Sequence, residues 1–152
     1  MTLVSVGAAG SVGGEGPTVV FLHGWGADER DLTSLASFIP AGLAWASVRA
    51  PLRHPAMGYA WYPLESEHSW DDADAIQSST DALWEWVDEV LGEDARIIPI
   101  GFSQGGLMAS QLLRTRPELA RLRARFDVVA IDAGDAPGTT TIEWIRDAFR
   151  LS

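Results

Sequence analysis

Five residues, Gly101-Phe102-Ser103-Gln104-Gly105, constrain this chain more than any other feature. They stand between an apolar run, Arg96 to Phe102, and a segment of helical spacing, Gln104 to Thr115, that stops before Pro117. A serine that turns sharply from strand into helix takes a strained backbone conformation and crowds its neighbours. Glycine two residues before and two after relieves that crowding. The turn lifts the hydroxyl above the carboxyl edge of a sheet. It also aims the first amides of the helix at the same place, where a negatively charged oxygen would be stabilised. Ser103 is therefore the candidate nucleophile; the plainer alternative is a serine in an ordinary strand-to-helix turn.

The rest of the chain has to supply the sheet. Thr18–Leu22 is short, apolar and β-branched, which predicts a buried strand. Leu43–Val48, Arg96–Phe102 and Phe126–Ile131 predict three more. Between them, Asp28–Ile39 has apolar residues at helical spacing behind acidic ones, and Asp72–Leu91 carries an apolar stripe ended by Gly92. Thr140–Phe149 predicts a last helix. Ala8–Pro17 is rich in glycine and reads as a turn, and Ala50–Ser69 as a long loop. Strands alternating with helices imply an α/β fold, a mostly parallel sheet flanked by helices. Runs such as Val19–Leu22 and Ile97–Ile100 lack alternation, as strands buried on both faces should. The 152 residues suggest a single domain over 1–152.

Composition excludes several classes of function. There is no cysteine, so disulfides, thiolate catalysis and cysteine-ligated zinc are out. The three histidines, His23, His54 and His68, lack metal-ligand spacing, and no metal site is expected. The formal charge of −10 repels polyanions, which argues against nucleic-acid binding. Arg114, Arg116, Arg121, Arg123 and Arg125 lie close together; a solvated helix end is the first reading and a phosphate or acidic-partner site the second. No apolar run is long enough to span a bilayer, and Met1–Gly16 has no basic residue to open a secretory signal. A cytoplasmic protein is expected.

A second motif, His23-Gly24-Trp25-Gly26, follows the first strong strand. A loop there can bring another backbone amide to the oxyanion, and its glycines let the backbone approach closely. His23 reads as structural, not as a base. With both motifs in place, Thr18–Leu32 and Arg96–Pro117 resemble the bacterial phospholipase/carboxylesterases, relatives of the acyl-protein thioesterases and members of the α/β-hydrolases. Arg49-Ala50-Pro51 and Tyr59-Ala60-Trp61-Tyr62 look like that family's loop after the next strand. The resemblance covers roughly residues 18–117. It implies hydrolysis of a small ester or acyl substrate, as a carboxylic ester or thioester, without a cofactor. It carries over Ser103 as nucleophile, Trp25 and Gln104 as oxyanion donors through their backbone amides, and Gly24, Gly26 and Trp61 as lining of the substrate pocket. Trp61 reads equally as core.

The family's order is serine, aspartate, histidine, with the histidine late. No histidine follows Ser103 here, and the fold is expected to be incomplete at its C-terminal end. Asp135, after the strand ending at Ile131, is the candidate acid, or else a turn aspartate. A serine hydroxyl is a poor nucleophile without a proton acceptor, so activity is expected to be weak or absent unless His54 or His68 substitutes. A ligand-binding pseudo-hydrolase and a gene fragment without function are the alternatives. A homodimer that exchanges elements to complete the sheet fits the pattern too.

Overall fold

In chain order the computed structural model contains β1 (Ser5–Val6), β2 (Thr18–Leu22), β3 (Ala44–Val48), β4 (Leu52–Arg53), β5 (Tyr59–Ala60), α1 (Ala73–Trp86), β6 (Ile97–Gly101), α2 (Gln104–Thr115), β7 (Phe126–Asp132) and β8 (Thr141–Phe149). It describes residues 5–6, 16–41, 43–64, 72–116, 125–135 and 138–149. The chain divides into two compact units, Met1–Leu112 and Leu113–Ser152.

The first unit is built on a sheet of order β1-β3-β2-β6. β2 runs parallel to both β3 and β6, and β1 is antiparallel to β3. The unbroken apolar character of β2 follows from its central place: all five of its residues are buried. Helices flank the sheet. α1 opens with the Asp72 carboxylate accepting the Ala75 N–H at 2.9 Å, and a π turn over Val87–Leu91 carries it to Gly92, whose φ of +102° ends it. Leu83, Trp84 and Trp86 are its buried apolar residues.

β6 departs from the expectation of burial on both faces. Ile98 and Ile100 are about two-fifths exposed, and β6 stands at the end of its sheet among the described residues. The ladder explains what that edge presents. The Thr18 N–H donates to Arg96 O and the Phe102 N–H to Leu22 O, so the even-numbered amides of β6 face β2. Pro99, which has no N–H, therefore puts its gap on the outer edge, where an unpaired amide would invite another strand.

Other expectations are corrected. Asp28–Ile39 is not an α-helix: only Thr33–Phe38 is helical, as a 3-10 segment with no buried residue. Without a face to bury, its spacing had nothing to pack against. The loop after β3 holds a short antiparallel pair, β4 with β5. In the second unit, β7 does not join the parallel sheet. It pairs antiparallel with β8, which replaces the helix expected over Thr140–Phe149. The cause is pairing: Thr141, Ile142 and Ile145 are β-branched, and Val129–Trp144 and Ile131–Ile142 form cross-strand pairs that a helix would forgo.

Candidate active site

Ser103 follows the carboxyl end of β6 and precedes α2, in the strand-to-helix turn that its glycines predicted. Its φ is +53°, a left-handed conformation that a non-glycine residue adopts at a cost of about 1–3 kcal/mol. The two glycines are required by contact. A Cβ on Gly101 would lie 2.1 Å from Gly105 O, and one on Gly105 would lie 2.0 Å from Leu22 O. The Ser103 side chain is exposed.

The second motif leaves the same edge of the neighbouring strand. Leu22 and Gly101 are register partners, so His23–Gly26 and Phe102–Gln104 emerge side by side. The Phe102 N–H on Leu22 O (3.0 Å) ties the two loops. A Cβ on Gly24 would lie 3.0 Å from the Phe102 ring, and Gly26 has a φ of +75°. One observation unites the loops. Among the described residues neither the Trp25 N–H nor the Gln104 N–H has an internal acceptor, while the Gly26, Gly105 and Gly106 amides beside them are all bonded.

Buried polar groups hold this arrangement. The imidazole of His23 is 1% exposed; its Nε2 accepts the Ala50 N–H at 3.0 Å, which leaves the proton on Nδ1 to donate to Gly24 O at 2.7 Å. Burial pushes its pKa below the usual histidine value, against smaller opposing effects of the Gly24 hydrogen bond and of Asp28, Asp31 and Glu29. His23 is thus a neutral structural residue, as its sequence context suggested. Trp61 is fully buried, with its indole N–H on His23 O at 2.9 Å. The side chain of Gln104 accepts the Trp61 N–H at 3.0 Å and donates to Tyr62 O at 2.8 Å. Ser79 Oγ–H donates to Trp61 O. These contacts fix Trp61 beneath the two loops.

A part-buried ion pair is not legible from the sequence. Glu29 is 1% exposed, and both its oxygens accept from Arg49: Oε2 from Nε at 2.5 Å and Oε1 from Nη2 at 2.6 Å. The Arg49 hydrogen bonds hold the Glu29 carboxyl below the usual carboxylate range, and Glu29 raises Arg49 in return.

Of the remaining candidates, Asp135 belongs to the second unit, His54 stands beside Trp25, and others lie outside the described residues. Asp135 is exposed in the β7–β8 connection of the second unit, where Asp132 Oδ1 accepts the Gly134 N–H. His54 packs edge-on against Trp25 with ring centroids 4.3 Å apart, and its Nδ1 accepts the Ala56 and Met57 amides. His68, Arg121 and Arg123 lie outside the described residues. Arg125 pairs with Asp127 at 2.7 Å. Among the described residues no His, Asp or Glu cluster suits a metal, and no helix is long and apolar enough to cross a membrane.

A parallel sheet with a strained serine at the carboxyl end of one strand and a glycine-rich loop at the end of the next defines an α/β-hydrolase. Residues 12–130 match the phospholipase/carboxylesterase family, and the chain belongs to that family. It is similar to the solved esterase PE8, at 27% identity and a TM-score of 0.62, covering 74% of this chain and 57% of that one. It is similar to the Bacillus cereus carboxylesterase at 26% identity and a TM-score of 0.59, covering 74% and 53%. Zea mays acyl-protein thioesterase 2 shares the fold at 23% identity and a TM-score of 0.54, covering 73% and 50%. The chain thus spans little more than half the length of these structures. A comparison with curated proteins returns no match.

Proposed function

We propose that Ser103 is the nucleophile of a carboxylic ester or thioester hydrolase and that the Trp25 and Gln104 amides form its oxyanion hole. The observation that carries this reading is the pair of amides, Trp25 and Gln104, with no acceptor among the described residues beside a serine held at a φ of +53°. The Ser103 oxygen attacks the acyl carbon and loses its proton to a base. The carbonyl oxygen becomes negative and accepts from the two amides. The alcohol or thiol departs with a proton, and water then releases the acid from the acyl-enzyme.

No residue after Ser103 is a histidine, so these 152 residues hold no base in the family's usual place. Asp135 stands as the proposed acid from its position after a strand. Losing a triad member costs roughly four powers of ten in rate. The chain is therefore expected to turn over activated esters slowly, because their leaving groups need no proton, and unactivated esters hardly at all. The test is hydrolysis of nitrophenyl acetate with imidazole added in solution, for the native chain and Ser103→Ala. We expect little difference without imidazole and a native rate that rises well above the variant's as imidazole is added. Equal rates at every imidazole concentration would refute Ser103 as nucleophile. A native rate already far above the variant's without imidazole, lost on replacing His54 or His68, would show that one of those histidines supplies the base.

A further inference from the structure

Glu29 is buried and ionised, yet the steps above give it no task. Its surroundings form a closed ring. Both Glu29 oxygens are gripped by Arg49. The Arg49 guanidinium lies over the Tyr59 ring, 4.6 Å from its centroid. The Tyr59 backbone brackets the glycine-rich loop: the Gly26 N–H donates to Tyr59 O at 2.9 Å, and the Tyr59 N–H donates to Ala27 O at 2.8 Å. Glu29 is two residues beyond Ala27, so the ring returns to its start. Gly58 fits against the same stretch so closely that a Cβ there would lie 2.2 Å from Gly26 O. Trp25 is the residue immediately before this bracket, and its amide has no acceptor among the described residues.

We propose that Glu29 and Arg49 are positioning residues, which fix the direction of the Trp25 amide through Tyr59; the proposal rests on the oxyanion reading of Trp25. A loop with glycine on both sides of Trp25 does not by itself keep that amide pointed one way, since glycine permits the peptide to flip. His23 Nδ1–H holds Gly24 O, the carbonyl of the peptide that carries the Trp25 N–H; the bracket at Gly26 and Ala27 restricts the other side of Trp25, and the Glu29–Arg49–Tyr59 ring restricts the bracket. A bidentate, stacked guanidinium suits this task better than an ammonium, because its planar fork fixes orientation as well as charge. Preorganised donors are what an oxyanion hole requires.

The test compares Glu29→Gln, Arg49→Lys and the double variant Glu29→Gln/Arg49→Met in the full chain. Three readouts are needed: unfolding by urea, imidazole-supported acylation by nitrophenyl acetate, and amide resonances with hydrogen exchange at Trp25, Gly26, Tyr59 and Gln104. Removing a whole oxyanion donor costs about a hundredfold or more in rate, so loosening one should cost roughly tenfold. We expect that loss in kcat at unchanged KM for Glu29→Gln and a smaller one for Arg49→Lys. Exchange should quicken at Gly26 and Tyr59, the Trp25 resonance should move, and Gln104 should stay. The double variant, with no charge left unpaired, should regain stability but not rate. A rate that recovers together with stability would make the pair merely structural and overturn the proposal. So would unchanged Trp25, Gly26 and Tyr59 amides in Glu29→Gln, a result readable even if the native chain is inactive. Native inactivity under imidazole counts against the hydrolase reading itself and is seen before any clamp variant is made.

Discussion

At the scale of single residues the site is shaped by what cannot be added to it. Gly105 and Gly106 are neighbours in α2 with opposite demands. A Cβ on Gly105 would collide with Leu22 O at 2.0 Å, backbone against backbone, whereas one on Gly106 would meet Gly101 O at an ordinary 3.6 Å. Gly106→Ala should therefore stabilise the chain in urea unfolding by about 0.5–1 kcal/mol, the usual gain for alanine over glycine in a helix. Gly105→Ala should cost more than about 3 kcal/mol or prevent folding, as overpacking that no side chain can relieve. His23 gives a prediction with pH. Its pKa is depressed by burial, so the unfolded chain binds a proton that the folded chain refuses. Stability should fall as pH drops below about 6.5, and this contribution should level off only once the folded imidazole is protonated. Urea unfolding at a series of pH values should show this slope in the native chain and a smaller one in His23→Asn. Equal slopes would contradict the buried neutral histidine. In the same acid range the Glu29 carboxylate keeps its charge, because Arg49 holds its pKa down.

At the scale of elements, legibility followed the cause of each structure. Where the cause was local steric pattern, the residues disclosed it: paired glycines around Ser103 announced the turn, and Gln104–Thr115 is a helix with the expected bounds. The five buried residues of β2 were likewise plain from their apolar run. Where the cause was pairing with a distant segment, the pattern misled. Thr140–Phe149 has spacing that a helix tolerates, but its β-branched residues meet Phe126–Asp132 and become β8. Thr33–Phe38 had helical spacing but no surface to cover. The Glu29–Arg49 pair was invisible for a related reason: its partners are twenty residues apart, and only the fold brings them into contact. Edge protection belongs to this scale as well. Pro99→Val would restore an amide on the outer edge of β6, and self-association at raised protein concentration should then increase, as measured by sedimentation. An unchanged monomer–oligomer balance would show that Pro99 does not guard that edge.

At the scale of the whole molecule, the chain holds the proposed Ser103 site in its first unit and an antiparallel hairpin in its second, and it spans little more than half the length of the esterases it is similar to. Its charge of −10 repels polyanions at long range. The central claim is that Ser103, Trp25 and Gln104 form one oxyanion-stabilising site, and it is tested most directly without turnover. An arylboronic acid adds reversibly to a serine oxygen and becomes a tetrahedral anion that mimics the charged intermediate. Titrated into labelled protein, it should bind saturably, move the Trp25 and Gln104 amide protons downfield, and leave the bonded Gly26 amide nearly still; Ser103→Ala should abolish all of this. Binding that survives Ser103→Ala, or that leaves both amides unmoved, would contradict the account.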